Sequence, residues 1–180
     1  MACVRSLKHV RVASRSSLHA EQFARKVSSA YSFSVEAVPT AEAAVRDADL
    51  IITVTTSHEP VVRSAWLSPG VHINAVGTYS PKAREIDGAT MARASLFVDR
   101  RESALNEAGD YLIAAAEGVI GPESIRAELG EVLIGAKTGR QADDEITLFK
   151  SLGIAVEDLA AAQYVFEQAQ LKNLGTWVEF

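Results

Sequence analysis

The chain has 180 residues, a net charge of −5 and one cysteine, Cys3. A hydrophobic fraction of 48% is enough to bury a core, which excludes a disordered chain, and the acidic balance argues against nucleic acid or an anionic membrane as partner. A single cysteine allows no intrachain disulfide, and no apolar run reaches the roughly 18 residues that span a bilayer. We therefore expect a cytoplasmic protein that binds neither nucleic acid nor membrane.

In chain order, short apolar runs alternate with amphipathic stretches after residues 1–8, which are typical of the end of a helix. The runs that predict strands lie at 9–13, 35–38, 49–55, 71–76, 96–99 and 145–153. The stretches that predict helices lie at 18–31, 40–48, 85–94, 102–110, 122–135 and 155–172. Strands that alternate with helices predict βαβ crossovers, and therefore an α/β fold with a mostly parallel sheet.

Capping residues set the boundaries of four predicted helices. Ser17 is the expected N-cap of the first helix and Thr40 that of the second. Gly109 is expected to end the helix that precedes it, because glycine adopts the backbone conformation that closes helices. Pro122 is expected at the start of the next helix, where its missing N–H costs nothing.

Two of the predicted strands end in loops of small polar residues. The strand of DLIITVTTSHEP, residues 49–60, carries hydroxyl groups at and after its end: Thr53, Thr55, Thr56 and Ser57. The strand of VHINAVGTYSPKAREID, residues 71–87, stops at Gly77. Open parallel sheets hold ligands at the carboxyl ends of their strands, where hydroxyls and amides can meet a pyrophosphate or a nicotinamide ribose. A threonine-rich strand with an ordinary turn is the alternative interpretation.

The first strand ends in Ser14, Arg15 and Ser16. In dinucleotide-binding sheets the second strand ends at the adenine ribose, and an arginine with neighbouring hydroxyls suits the 2′-phosphate of NADP. If the strand at 9–13 is that strand, Arg15 favours NADPH over NADH. The alternative is an exposed arginine before a helix.

The remaining polar residues and motifs give weaker indications of a functional site. The amide of Asn74 needs a partner, which is either neighbouring backbone or a ligand, and we favour a structural role. Gly77 predicts either a close backbone approach or a positive φ. Glu128, Glu131 and the acidic run 143–145 are expected on solvated faces, and no set of residues has the spacing of a metal site. Neither a G-x-S-x-G elbow nor a G-x-G-x-x-G loop occurs in the sequence.

Several stretches together resemble the ornithine cyclodeaminase/mu-crystallin family. They occur in the family's order and cover most of the chain. The segments are ADLIITVTTSHEPV (48–61), PGVHINAVGTYSPKAREID (69–87), LFVDRRESALNEAGD (96–110), IRAELGEVLIG (125–135) and DEITLFKSLGIAVEDLAAA (144–162). The resemblance implies a Rossmann-like, mostly parallel sheet with flanking helices that binds NADPH, or alternatively NADH.

The resemblance also implies which residues contact the cofactor. In chain order they are Ser14, Arg15, Ser16, Thr55, Thr56, Ser57, Val76, Gly77, Lys150, Ser151 and Leu152. The first three match the family's segment for the adenosine ribose and its phosphate, and the next three match the segment after its fourth strand. Val76 and Gly77 match the wall beside the nicotinamide, and the last three match the segment that returns to the cofactor's reactive end.

Tyr79 marks one departure from the family's pattern. The cyclodeaminases carry an aspartate at this position, in the loop after N-A-V-G, and this chain carries tyrosine. Without that carboxylate the deaminating chemistry loses its acid/base group, so the sequence resembles the reductase or mu-crystallin branch. The sequence leaves the catalytic residue open.

The second departure is that the resemblance starts inside the first helix of the family's nucleotide domain. Residues 1–180 are therefore expected to form a partial NAD(P)-binding domain with C-terminal return helices, without the usual first strand, the glycine loop and the N-terminal substrate and dimerisation domain. The strands at 9–13 and 49–55 would lose a shared neighbour. They would then pair directly, leave a groove that another segment or chain fills, or leave the sheet open and unstable. We expect this chain to bind NADPH weakly or not at all.

The function that the resemblance implies is NAD(P)H-dependent reduction of cyclic ketimines, of the Δ1-pyrroline-2-carboxylate type. Hydride would pass to a C=N carbon beside a carboxylate, so the expected partner is a small imino or amino acid, in a family that forms homodimers. One alternative is a truncated, non-catalytic fragment that acts as a binding or partner module. Another is an enzyme of the ornithine cyclodeaminase or alanine dehydrogenase type.

Overall fold

Short parallel strands and helices alternate through the computed structural model, which describes residues 1–178. The strands are β1 His9–Val12, β2 Ser34–Ala37, β3 Leu50–Thr53, β4 His72–Ala75, β5 Ser95–Val98, β6 Ile125–Glu128 and β7 Thr147–Lys150. The helices are α1 Ser17–Ser28, α2 Ala41–Val45, α3 Gly88–Arg93, α4 Arg101–Glu107, α5 Gly109–Ala116, α6 Leu129–Leu133 and α7 Ala155–Leu171. Two short 3₁₀ turns lie at Ser64–Trp66 and Pro122–Ser124.

Five of the strands form one parallel sheet in the order β3-β4-β7-β5-β6. The last strand in the chain, β7, lies in the centre, where Leu148 pairs with Ile73 on one side and with Leu96 on the other. Because all five strands run in the same direction, their carboxyl ends meet at a single edge. The α/β, Rossmann-like fold with a mostly parallel sheet is thereby confirmed.

The strands β1 and β2 form a separate two-stranded parallel sheet. Within residues 1–178, β1 pairs only with β2 and β3 pairs only with β4, so of the arrangements expected for these strands the open one is observed. Helix α2 connects the two sheets: the Arg11 guanidinium donates to the Ala43 carbonyl at 3.0 Å, while Val45 lies in the core of the larger sheet. Ile52 in β3 and Val54 just after it are exposed.

The main hydrophobic core covers one face of the five-stranded sheet. Alternate strand residues point into it, among them Ile73 of β4 and Leu148 of β7, both fully buried. Met91 of α3 and Ala114 of α5 belong to the same cluster, so these helices cover that face. Burying a side chain of this size contributes about 1.5–3 kcal/mol, which makes this face the main source of stability.

Two predictions about the second half of the chain were wrong. The helix expected over 122–135 contains strand β6 and the short helix α6, because Ile125 and Ala127 alternate into the core while β6 pairs with β5. Gly109 does not close a helix but begins α5. A Cβ atom at Gly109 would lie 2.0 Å from the Ala83 carbonyl oxygen, so this glycine serves a close contact between the helix and the loop after β4.

Two expectations near the N-terminus also need correction. Ser16, rather than Ser17, caps α1, and its Oγ accepts from the His19 amide at 3.4 Å. Residues 1–8 form turns and extended backbone rather than a helical end. Thr40 caps α2 as expected, since its hydroxyl accepts from the Ala43 amide at 3.1 Å.

Helix α7 is the longest helix in residues 1–178, and none of its 17 residues is buried. Apolar side chains lie exposed along its length, among them Leu159, Val165 and Phe166. The helix also lacks a clear polar face, which is typical of a helix that other protein segments surround. Among the described residues, no helix has the length and apolarity needed to cross a membrane.

Candidate cofactor site

Three of the four predicted cofactor segments meet at the carboxyl edge of the five-stranded sheet. Residues 55–57 follow β3, residues 76–77 follow β4 and residues 150–152 end and follow β7, and these three strands are neighbours. Backbone bonds extend the ladder into the loops: the Val76 amide donates to Thr53 and the Ser151 amide donates to Ala75, each at 3.0 Å. The topology therefore places these segments side by side.

The fourth segment, residues 14–16, lies at the carboxyl end of β1 in the smaller sheet. Its two serine hydroxyls are used locally: Ser16 caps α1, and the Ser14 hydroxyl accepts from the Ser16 amide at 3.3 Å. Arg15 is exposed, and its guanidinium has no hydrogen-bond or ion-pair partner in the described part of the chain. Arg15 is thus available to an anion, while the two serines shape the turn.

Glu85 joins the loops after β3 and β4, a role that sequence reasoning missed. One carboxylate oxygen accepts from the Thr55 amide at 2.6 Å, and the other accepts from the Thr53 hydroxyl and the Gly77 amide, both at 2.8 Å. Glu85 is 0% exposed. Its partners lie 8 to 32 residues away along the sequence, so no local pattern indicates this contact.

Gly77 is needed because the two loops touch. A Cβ atom at this position would lie 2.2 Å from the Thr55 nitrogen and 2.5 Å from a Glu85 carboxylate oxygen. Gly77 is not among the residues with positive φ. Of the two roles that the sequence allows, close backbone approach is therefore the one observed, and the partner is the neighbouring loop.

The Lys150 side chain points into the protein. Its ammonium group lies 2.6 Å from the Thr78 carbonyl oxygen, 3.3 Å from the Thr78 hydroxyl and 3.2 Å from an Asp110 carboxylate oxygen. That Asp110 oxygen also accepts from the Thr78 hydroxyl at 2.7 Å, and the other accepts from the amides of Glu85 and Ile86 at 2.7 and 2.9 Å. Lys150 is 1% exposed and Asp110 is 0% exposed, so both charges are met inside the protein.

Asp99 holds the backbone of the segment after β7. One of its carboxylate oxygens accepts from the amides of Leu152 and Gly153, both at 2.6 Å, and from the Ser151 hydroxyl at 3.2 Å. An open cleft of about 890 Å³ lies beside it, between the ends of β5 and β6 and the start of α7. Ser151 and Leu152 therefore have a fixed position at the edge, and Asp99 is a second carboxylate that sequence reasoning missed.

The groups that remain open to a ligand at this edge are few. Thr56, Val76 and Tyr79 are exposed, and the exposed fraction of Tyr79 is 78%. The Ser57 hydroxyl donates to the Glu59 carbonyl at 2.7 Å and so stabilises its own loop. The edge thus presents a hydroxyl, an apolar side chain and an aromatic ring above a fully hydrogen-bonded base.

Two titratable groups with shifted pKa values lie at the amino ends of β4 and β7, away from the predicted cofactor segments. Burial lowers the pKa of His72, whose ring is 2.7 Å from the Thr147 hydroxyl and 3.4 Å from the Asn74 amide oxygen. The partner of the Asn74 amide oxygen is therefore a neighbouring side chain, rather than the backbone or ligand that the sequence suggests. Burial alone would raise the pKa of Glu145, but hydrogen bonds from Ser95, Gln141 and Arg126 outweigh it and lower that pKa to about 2. Residues 1–178 contain no group of three or more side chains that could hold a metal ion.

Comparisons with known proteins give a consistent result. The model of the ornithine cyclodeaminase/mu-crystallin family matches residues 1–173. The chain is 37% identical over 178 residues to Δ1-pyrroline-2-carboxylate reductase of Bacillus cereus, an alignment that covers 98% of this chain and 54% of the relative. It is 45% identical over 162 residues to ketimine reductase mu-crystallin of Mus musculus, covering 90% of this chain and 48% of the relative.

A solved structure is similar over nearly the whole chain. It is Δ1-pyrroline-2-carboxylate reductase of Thermococcus litoralis in complex with NADH and L-proline, with a TM-score of 0.93 and 40% identity. The match covers 98% of this chain and 55% of that one, so the chain spans about half the length of the relatives it matches. On the family match and these relatives, the chain belongs to the ornithine cyclodeaminase/mu-crystallin family.

Proposed function

We propose that the chain is the cofactor-binding part of an NAD(P)H-dependent reductase of cyclic imino acids, of the Δ1-pyrroline-2-carboxylate type. One observation supports this most strongly: the ends of β3, β4 and β7 stand side by side, as a shared cofactor edge requires, in a chain similar to a reductase solved with NADH and L-proline. NADPH, when bound, supplies the hydride that reduces the carbon of a C=N bond beside a carboxylate.

The residues present fit such a cofactor. Arg15 carries a guanidinium with no protein partner among residues 1–178, and it would bind the 2′-phosphate beside the adenine ribose. Thr56 and Val76 are exposed at the edge, where a hydroxyl and an apolar wall would contact the ribose and the nicotinamide ring. Tyr79 stands next to them and would face the substrate.

We also propose how this chain relates to a whole enzyme. Residues 1–180 would form a partial NAD(P)-binding domain, and the region that binds the substrate carboxylate and forms the dimer would lie outside them. Two facts support this division: the chain spans about half the length of its relatives, and α7 exposes apolar side chains all along its length. The enzyme would work in the cytoplasm on a small imino acid.

The test is a titration of the purified chain with NADPH and, in parallel, with NADH, followed through the fluorescence of Trp66 and Trp177. The matched variants are Arg15→Ala and Arg25→Ala, since both arginines are exposed. We expect weak, saturable binding that prefers NADPH. Arg15→Ala should weaken NADPH binding about tenfold and leave NADH binding unchanged, because a charge-assisted contact to phosphate is lost. Arg25→Ala should change neither.

The titration also separates the proposal from its main alternative. Equal affinity for NADPH and NADH in the unsubstituted chain would contradict the role of Arg15. No saturable binding of either nucleotide, by a chain whose circular dichroism shows it to be folded, would favour a non-catalytic fragment that serves as a binding module.

A further inference from the structure

Two opposite charges, Lys150 and Asp110, are buried beneath the loop that follows β4. We call them the buried pair, and we call residues 76–86 the β4 loop. Within residues 1–178, the hydrogen bonds and the ion pair of the Lys150 ammonium group are all with Thr78 or Asp110. Asp110 in turn holds Thr78 near the start of the loop and the amides of residues 85 and 86 at its end. The buried pair therefore binds the β4 loop near both of its ends.

Other contacts hold the end of the loop and its first two residues, Val76 and Gly77, but not Thr78. Ile86 forms a parallel β-bridge with Val62, and the amides of residues 61 and 62 both donate to the Glu85 carbonyl. At the start, the contacts that fix Thr78 are those from Lys150 and Asp110. Since Thr53 and Glu85 already hold Val76 and Gly77, the buried pair fixes Thr78, the residue before Tyr79.

Stability alone does not explain a buried pair of this kind. Taking two charges out of water costs several kcal/mol for each ion, and well-packed apolar residues of similar volume are often as stabilising. The pair instead determines the conformation of Thr78. Lys150 orients the Thr78 carbonyl oxygen and Asp110 orients the Thr78 hydroxyl, and no apolar side chain can do either. Thr78 is held below the surface while the next residue, Tyr79, is 78% exposed.

We propose that Lys150 and Asp110 are positioning residues, which hold the β4 loop so that Val76, Gly77 and Tyr79 face the nicotinamide end of the cofactor. The effect of this positioning on cofactor binding rests on the proposed function. Lys150 acts on the cofactor from beneath, through Thr78, rather than by touching it. Neither residue supplies a proton or a hydride.

The test is a double-substitution cycle on the full chain with Lys150→Met, Asp110→Asn and the two combined. Lys137→Met, which alters an exposed lysine, is the control. Each single variant should lose stability because it leaves one buried charge without its partner, and the double variant should recover most of that loss. Recovery makes the double variant a folded protein in which the loop can be examined.

Amide hydrogen exchange then reports the loop directly. The amides of Thr55 and Gly77 bind Glu85 and touch neither member of the buried pair. In the double variant we expect them to exchange at least about tenfold faster, while Phe97 in β5 keeps the exchange rate of the control. Unchanged exchange at Gly77, or equally faster exchange at Phe97, would overturn the proposal, because the pair would then be a purely structural element.

NADPH titration completes the test and separates it from the proposed function. If the pair positions the loop for cofactor, the double variant should bind NADPH about tenfold more weakly than Lys137→Met does. Faster exchange at Gly77 with unchanged NADPH affinity would overturn the positioning role. A control that binds no NADPH at all would refute the proposed function, and exchange at Gly77 would still decide whether the pair holds the loop.

Discussion

Gly77 shows how closely the loops at the cofactor edge pack. Gly77→Ala places a methyl group 2.2 Å from the Thr55 nitrogen, so one of the loops must move. We expect the free energy of unfolding to fall by about 2 kcal/mol, as overpacking in a dense region does. Urea denaturation followed by circular dichroism measures the change.

Gly130→Ala is the control for that experiment. Gly130 lies in α6, and a methyl group added there would meet no heavy atom within 4 Å. The free energy of unfolding should therefore stay within about 1 kcal/mol of the original. Equal losses of unfolding free energy in the two variants would show that the close contact of Gly77 with Thr55 does not explain the effect of Gly77→Ala.

Glu145 makes stability depend on acid pH. Its pKa falls from 4.5 to about 2 on folding, so between these values the unfolded chain binds more protons than the folded one. The contribution of Glu145 is therefore fully present above about pH 4.5 and is lost as the pH falls towards 2. Urea midpoints between about pH 5.5 and pH 3 should fall less steeply in Glu145→Gln than in Glu102→Gln, which changes an exposed carboxylate. Parallel slopes in the two variants would contradict this assignment.

The residues of the site divide into those that the sequence reveals and those that it does not. Arg15 and Thr56 stand directly after apolar strands, so the general rule for parallel sheets locates them. Glu85, Asp110 and Asp99 act through contacts that only the folded chain brings together, such as the 53-residue separation between Asp99 and the Leu152 amide. A lone carboxylate in a polar stretch carries no sign that it will be buried.

Among the elements, four of the five strands of the larger sheet were predictable because each is a short apolar run. β6 was not, since Ile125 and Leu129 have a spacing that also suits a helix, and pairing with β5 decides between the two. Helix α5 escaped prediction for a related reason. Its residues Gly109–Ala116 are apolar on most sides, which gives no helical periodicity, and Gly109 favoured a helix end.

Helix α7 exposes apolar side chains that a dye can detect. Its exposed apolar side chains should bind a hydrophobic dye such as anilinonaphthalene sulfonate. Replacing Leu159 and Phe166 together by glutamine should lower the dye fluorescence by roughly half. Leu133→Gln, which alters one exposed leucine on α6, should lower it much less. Equal decreases would show that the dye binds elsewhere.

At the scale of the whole molecule, the parallel order of strands does most to determine the site. Once five strands run in one direction, three predicted segments must share an edge, whatever the details of their loops. The position of β7 in the centre of the sheet could not be predicted from the sequence. It depends on a return of the chain from β6 to the middle, which local periodicity does not encode.

The division into two sheets has a calorimetric consequence. A pair of four-residue strands with one helix is too small for much stability of its own, so β1, α1 and β2 should melt before the five-stranded sheet and give two heat-absorption peaks. A nucleotide that contacts Arg15 on one unit and Val76 on the other would couple their melting. NADPH should then move the lower peak towards the upper one, so that the heat capacity trace itself records whether a single ligand spans both sheets.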